Sequence, residues 1–200
     1  CLQRDEYCQA AAPTIAATIP LLPGESLPSL LERLACLNFY RHAGTIASIC
    51  HHRTGNLTQD SIARPGRFQT FEQLAHLAMI AAEELFAASD HHFAPVLTPP
   101  GQAQTHMPWP DAPPRPMVTP HHVRHHLRSP TAAQFCPSCL REGAYHRLTW
   151  VPLASAICLE HRCLLVHRCP QCGKNVSAAE IVRGACQACG VDLSKGPTIS

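Results

Sequence analysis

Lysine is nearly missing from these 200 residues: it occurs only at Lys174 and Lys195, so the basic charge is almost all arginine. Arginine suits bidentate contact with phosphate or carboxylate, but beside the Ala and Pro bias it reads first as the imprint of a GC-rich genome. A formal net charge of +2 argues against a protein that holds nucleic acid by bulk attraction. No apolar run approaches the ~18 residues of a membrane span. The stretch AAAPTIAATIPLLPG is broken by Pro13 and Pro20, and Arg4, Asp5 and Glu6 before it do not make the basic start of a secretory signal. The expectation is a soluble, cytoplasmic protein without membrane contact.

Catalytic signatures are missing too. There is no H-E-x-x-H, no Walker phosphate loop, no G-x-S-x-G elbow, and no H-x-E with P-C-x-x-C as a zinc deaminase needs. HHRTGN at 51–56 has the residue types of a His–Asn nuclease. It stands without a following histidine cluster at suitable spacing, and reads as a surface loop.

What is present is a globular apolar fraction of 46%, 19 prolines and 12 cysteines. Residues 1–20 read as a tail. Residues 21–94 read as helical: Ser26 offers an N-cap, Pro28 suits a first turn, and Leu27, Leu30, Leu31, Leu34 and Leu37 form one stripe, with Gly44 as the stop. In TFEQLAHLAMIAAEELFAAS, Thr70 and Gln73 suggest a capping box. The segment fits one helix, or two turning near Ile80–Ala82, and periodicity does not separate them because no glycine marks the turn. Ten prolines between Pro95 and Pro130 predict a semi-rigid linker over 95–130, with HHVRHHLR at 121–128 as a solvated polar segment.

Residues 131–195 carry the chemistry. Eight cysteines fall between 136 and 189, three pairs of them as C-x-x-C, too many for a thioredoxin-like site and too regularly paired for a disulfide scaffold. Cys136 and Cys139, then eighteen residues, then Cys158 and His161 give a set of three cysteines and one histidine. Cys169 and Cys172, then thirteen residues, then Cys186 and Cys189 give a set of four cysteines. Two donors three positions apart can bind one tetrahedral ion from a tight knuckle, and two knuckles fill the shell. The sequence therefore predicts two structural Zn2+ ions. In the first set Cys163 competes with His161 for the fourth place; C-x-x-H, which repeats the two-residue gap, is the preferred reading. CPQCG and CQACG place glycine where a knuckle turns left-handed. Seven thiolates and two Zn2+ take the formal charge from +2 to −1, which weakens any model built on nonspecific phosphate attraction. Leu148, Trp150, Val151, Leu153, Ile157, Leu164, Leu165 and Val166 read as short strands or turns packing over the metals.

ESLPSLLERLA (Glu25 to Ala35), the C-P-x-C-L of Cys136–Leu140, the R-L-x-W of Arg147–Trp150, the C-x-x-H ending at His161 and the C-P-x-C of Cys169–Cys172 together resemble the TniQ family of transposition proteins. The resemblance spans roughly residues 21–193. It implies a helix-turn-helix-like helical domain followed by two zinc-finger or zinc-ribbon motifs, with the eight metal ligands named above. It also implies a non-enzymatic, bacterial, cytoplasmic adaptor. Such an adaptor links a target-marking complex, which in relatives can be an RNA-guided CRISPR effector, to an AAA+ ATPase regulator and so to the transposase. The alternative is a sequence-specific DNA-binding protein that recognises an attachment site or regulates transcription. Arg141, Arg162, Arg168 and Arg183, placed beside the ligands, are the candidates for contact with target DNA or an acidic partner face.

Overall fold

The computed structural model describes residues 15–50, 59–98, 105–106 and 115–199. Residues 1–14 of the expected 1–20 tail and the HHRTGN stretch lie outside them; the rest of that tail is packed structure, with Ile15 and Ile19 against the helical core. α1 (Leu27–Leu37), α2 (Ala43–Cys50), α3 (Gln59–Ala63), α4 (Phe68–Ala78) and α5 (Ala82–Ala87) form a helical layer, followed by the short α6 (Ala94–Leu97). Its core joins Leu27, Leu30, Leu31 and Leu34 to Ile46, Ile62, Phe71, Leu74 and Leu85, as the leucine stripe predicts. Phe71 packs edge-on against Phe86, which stacks on His91. Leu37, the last member of the expected stripe, is largely exposed because α1 ends there.

Helix ends depart from expectation in two places, and a third settles an open alternative. Gly44 does not stop α1 but lies inside α2. The stop is made by Phe39 in the left-handed region (φ 59°), with Tyr40 N–H donating to Ala35 O (2.8 Å) and Phe39 N–H to Cys36 O (3.2 Å). Thr70 is not a cap: α4 starts at Phe68, and Thr70 is buried in the first turn. The 71–88 segment is two helices, and Met79 (φ 58°) supplies the left-handed residue of the turn where glycine is the usual choice.

β1 (Thr105–His106) pairs with β2 (Arg115–Pro116) inside the proline-rich stretch. α7 (Pro120–His126) follows, with Pro120 in its first turn and Thr119 and His122 forming a capping box. Part of the segment read as linker is thus packed structure. Val118 and Leu127 are buried with Ala94, Leu148 and Val151.

The cysteine-rich module, the candidate metal-binding module, is built from α8 (Pro137–Glu142), the antiparallel hairpin of β3 (Ile157–Cys158) and β4 (Cys163–Leu164), and α9 (Ala178–Arg183). Apart from the hairpin it is held by single bridges such as Phe135 with Val166 and Ala133 with Val176. Its core is thin: Phe135, Trp150, Leu165, Val176, Ile181 and Leu193 packed among cysteines. Leu153, Ile157 and Leu164, expected to cover the metals, are instead exposed.

α1 joins the two parts, and its Glu25–Ala35 motif explains how. The leucines face the helical layer, and a second, polar stripe faces the metal-binding module. Ser26 N–H donates to His146 O (2.9 Å), His146 N–H donates to Ser29 Oγ (3.0 Å), and the Ser26 hydroxyl pairs with His146 Nδ1 (2.9 Å). Ser26 therefore occupies the N-cap position without capping with its side chain; its oxygen is engaged across the seam. Ser29 Oγ donates to Glu25 Oε1 (2.8 Å), and Arg33 donates to Glu25 Oε2 (2.6 Å). Burial raises the Glu25 carboxyl, while the Leu22 N–H, Ser29 and Arg33 oppose the rise.

Glu32, fully buried, takes an ion pair from Arg183 of α9 and the Ala43 N–H (2.8 Å). Arg183→Ala would leave this carboxylate half-satisfied. The expected cost is about 2 kcal/mol, less than the figure for a wholly buried pair because Arg183 reaches the surface. Double-mutant analysis by denaturant unfolding checks this: Glu32→Leu combined with Arg183→Ala should recover most of the loss, and simple additivity would contradict it.

Candidate metal centres

The spacing of the ligands becomes geometry through one repeated local device. At Cys136, Cys169 and Cys186, the N–H groups two and three residues on are aimed at the first sulfur of the C-x-x-C pair. Burial raises the Cys169 thiol, but N–H bonds from Cys172 and Gln171 outweigh it and bring it to about 7. That favours the thiolate, the form that binds metal. Burial acts in the same upward direction at Cys136, where the N–H groups of Cys139 and Ser138 again give a net lowering. In the second pair of each set, the residue after the last donor is left-handed: Arg162 (φ 51°) and Gly190 (φ 73°), with Gly173 (φ 70°) repeating it after Cys172. Each donates its N–H to the carbonyl of the first cysteine of its pair, at 2.8, 2.8 and 3.0 Å. Arg162 thus holds, at a cost of roughly 1 kcal/mol, the backbone shape that glycine gives freely to its two counterparts.

Cys136, Cys139, Cys158 and His161 bring their donor atoms within 4.8 Å of one another, and so do Cys169, Cys172, Cys186 and Cys189. Both predicted ligand sets are therefore assembled. In the first, His161 Nδ1 lies 3.3 Å from Cys139 Sγ and 3.7 Å from both Cys136 and Cys158. Its other nitrogen, Nε2, pairs with Glu142 Oε1 at 2.9 Å. A carboxylate on the outer nitrogen is the arrangement that orients a metal-binding imidazole and raises its basicity. Glu142 is the member of this centre that sequence reasoning missed; its only signal is its position just past the first C-x-x-C. Glu160, also missed, lies 3.5 Å from Cys139 Sγ and pairs with Arg147 (2.9 Å). In the second set Cys169 is 3.6 Å from Cys189, and Cys172 is 3.8 Å from Cys186. Converging soft donors of this kind fit a tetrahedral Zn2+. Each set supplies four protein donors, as structural rather than catalytic sites do.

Cys163 stands outside the four-atom cluster but touches it, with Sγ 3.4 Å from Cys136 Sγ. Burial and the neighbouring Cys136 push its thiol up to about 11.

The four candidate contact arginines have different surroundings. Arg141 donates to Ser194 O and Ser138 Oγ, both at 2.7 Å. Arg183 serves the seam through Glu32 and Arg41 O (2.7 Å). Arg162 and Arg168 are exposed beside the ligands. Trp150 is buried, edge-on to His146, and is core. Among the described residues no helix is long and apolar enough to cross a membrane.

No curated protein matches the chain. The TniQ family model matches residues 16–165. The matched stretch takes in the helical layer, the α1 and His146 sides of the seam and the whole first donor set, and stops short of Arg183 and the four-cysteine set. The match covers most of the chain and includes the Glu25–Ala35 motif, whose side chains form the seam. The chain belongs to the TniQ family and is a transposition-associated protein.

Proposed function

We propose that this protein is a non-enzymatic adaptor in DNA transposition, held rigid by two structural Zn2+ ions. In this reading it links a target-marking complex, such as an RNA-guided CRISPR effector, to an AAA+ ATPase regulator and through it to the transposase. The observation that carries the reading is an apolar face on the metal-binding module. Ile157 and Leu164, cross-strand partners in the β3–β4 hairpin, are about half exposed, at 53% and 45%. Leu159, in the turn between them, is 84% exposed, and Ile199 lies alongside through the Leu164 N–H to Ile199 O bond. Clustered exposed apolar side chains on a rigid platform mark a protein-binding surface more often than a nucleic-acid one.

The DNA-reading alternative gains less support. In a helix-turn-helix reader, the second helix enters the major groove. Here the outward charged residues of α5 are Glu83 and Glu84, which phosphate repels.

Ile157→Asp with Leu164→Asp is expected to weaken assembly with the ATPase or the effector complex at least tenfold, with metal content and melting temperature unchanged. The purified chain alone should show no sequence-dependent band shift. Tight, sequence-specific DNA binding by the chain alone, with partner assembly unaffected by the two aspartates, would favour the DNA-binding reading instead.

A further inference from the structure

The first donor set has one soft residue too many. Cys163 is fully buried, is the cross-strand partner of Cys158, and places its sulfur 3.4 Å from that of Cys136. Two sulfurs bound to one tetrahedral ion at about 2.3 Å each sit roughly 3.8 Å apart. Cys163 is thus already as close to Cys136 as two ligands of the same ion would be, and as close as Cys139 is to Cys158 (3.5 Å).

The two candidates for the fourth position differ in which side of the cluster they occupy. His161 is the outermost donor: its ring is partly exposed, and it is steadied by Glu142, whose side chain is 61% exposed. It also belongs to the same 159–162 turn as the exposed Leu159. A protein docking on the apolar face therefore meets the turn that carries His161, whereas Cys163, the first residue of β4, is buried.

We propose that Cys163 is a reserve donor to the first metal centre. When His161 is drawn away, the Cys163 thiolate takes the fourth position and the ion stays. The bond from the metal to Nδ1 breaks, a bond to Cys163 Sγ forms, and the thiol proton passes to solvent; no electron is transferred. The outcome is a site that changes from three sulfurs and one nitrogen to four sulfurs without emptying, so that partner contact at the turn does not unfold the module. This rests on the reading that the first set binds zinc.

Cobalt is the probe, because the visible bands of Co2+ separate three-sulfur-one-nitrogen from four-sulfur coordination, and the Cys169–Cys189 set supplies an all-sulfur reference in the same chain. The wild type and Cys163→Ala should each bind two Co2+ with the same spectrum. His161→Ala should still bind two, with the bands of the first site moved onto those of the reference. His161→Ala combined with Cys163→Ala should bind one. If His161→Ala alone binds one ion, or binds two without the spectral move, the proposal is wrong. If Cys163→Ala alone binds one, Cys163 is an obligatory ligand, and the proposal is equally wrong. A wild type that binds fewer than two ions would overturn the zinc reading itself, a separate failure.

Discussion

Chelation at neutral pH is expected to unfold the metal-binding module outright. Near-ultraviolet circular dichroism from Trp150 should collapse, and about two equivalents of Zn2+ should restore it. The size of the effect follows from how little else holds residues 131–195. The described core there is a handful of apolar side chains among cysteines, the only ladder is a two-residue hairpin, and the remaining cross-chain pairing is single bridges. A module of this size cannot bury enough apolar surface to offset its chain entropy. Structural zinc contributes on the order of 10 kcal/mol to such folds, and without it the buried sulfurs of Cys136, Cys139, Cys158, Cys169 and Cys186 have no ion to satisfy them. The loss should spread, because α1 would be stripped of His146 and Arg183 as partners. Helical circular dichroism should then melt at lower temperature without disappearing, since the leucine and phenylalanine core of the helical layer does not use the metals. A chelated, metal-free chain that keeps the near-ultraviolet signal of Trp150 and an unshifted melting transition would refute both the zinc assignment and the role of the module as a rigid platform.

Acidification should weaken the seam in a window set by one histidine. His146 is fully buried, and desolvation lowers its imidazole to about 4 from 6.5. Between these values the unfolded chain binds a proton that the folded chain refuses, so stability falls as pH falls. The contribution is complete above pH 6.5 and is lost progressively down to about pH 4, amounting to about 3 kcal/mol. Metal binding at the two candidate centres would also weaken in acid, so the informative quantity is a difference. In denaturant unfolding, the wild type should lose about 3 kcal/mol more than His146→Leu over this range. Parallel pH profiles for the two proteins would exclude His146 as the source. Protonation would also set a second positive charge in the buried seam, where the Nε2 atom has no hydrogen-bond partner among the described residues.

Both effects concern residues whose importance was unequally legible in the chain. The eight clustered candidate donors were readable because the chemistry is local: a gap of two residues fixes a knuckle, and glycine after the second donor records its handedness in the four-cysteine set. The leucine stripe of α1 was readable for the same reason. The polar stripe of that helix was not. Ser26 and His146 are 120 residues apart, and Glu32 and Arg183 are 151 apart. At such distances, serines and glutamates opposite a leucine stripe have the pattern of a solvated face, and only packing shows that they are interior. Turns failed differently. Phe39, Met79 and Arg162 adopt left-handed backbone without being glycine, so the usual marker was absent where the turns occur. In the proline-rich stretch, the count of prolines hid a start signal that was present, Thr119 followed by Pro120, which caps and opens α7.

The carbonyl of Ile199 accepts the Leu164 N–H at 2.8 Å, so the outer edge of β4 is already clasped by the protein's own chain. An incoming strand finds no free backbone ladder to extend on that side, which protects the hairpin from uncontrolled edge-to-edge stacking. Anything that engages the module there must read side chains rather than peptide groups, and so must match their shape. Selectivity among partners is thereby written into a few replaceable apolar residues, while the scaffold beneath them stays unchanged.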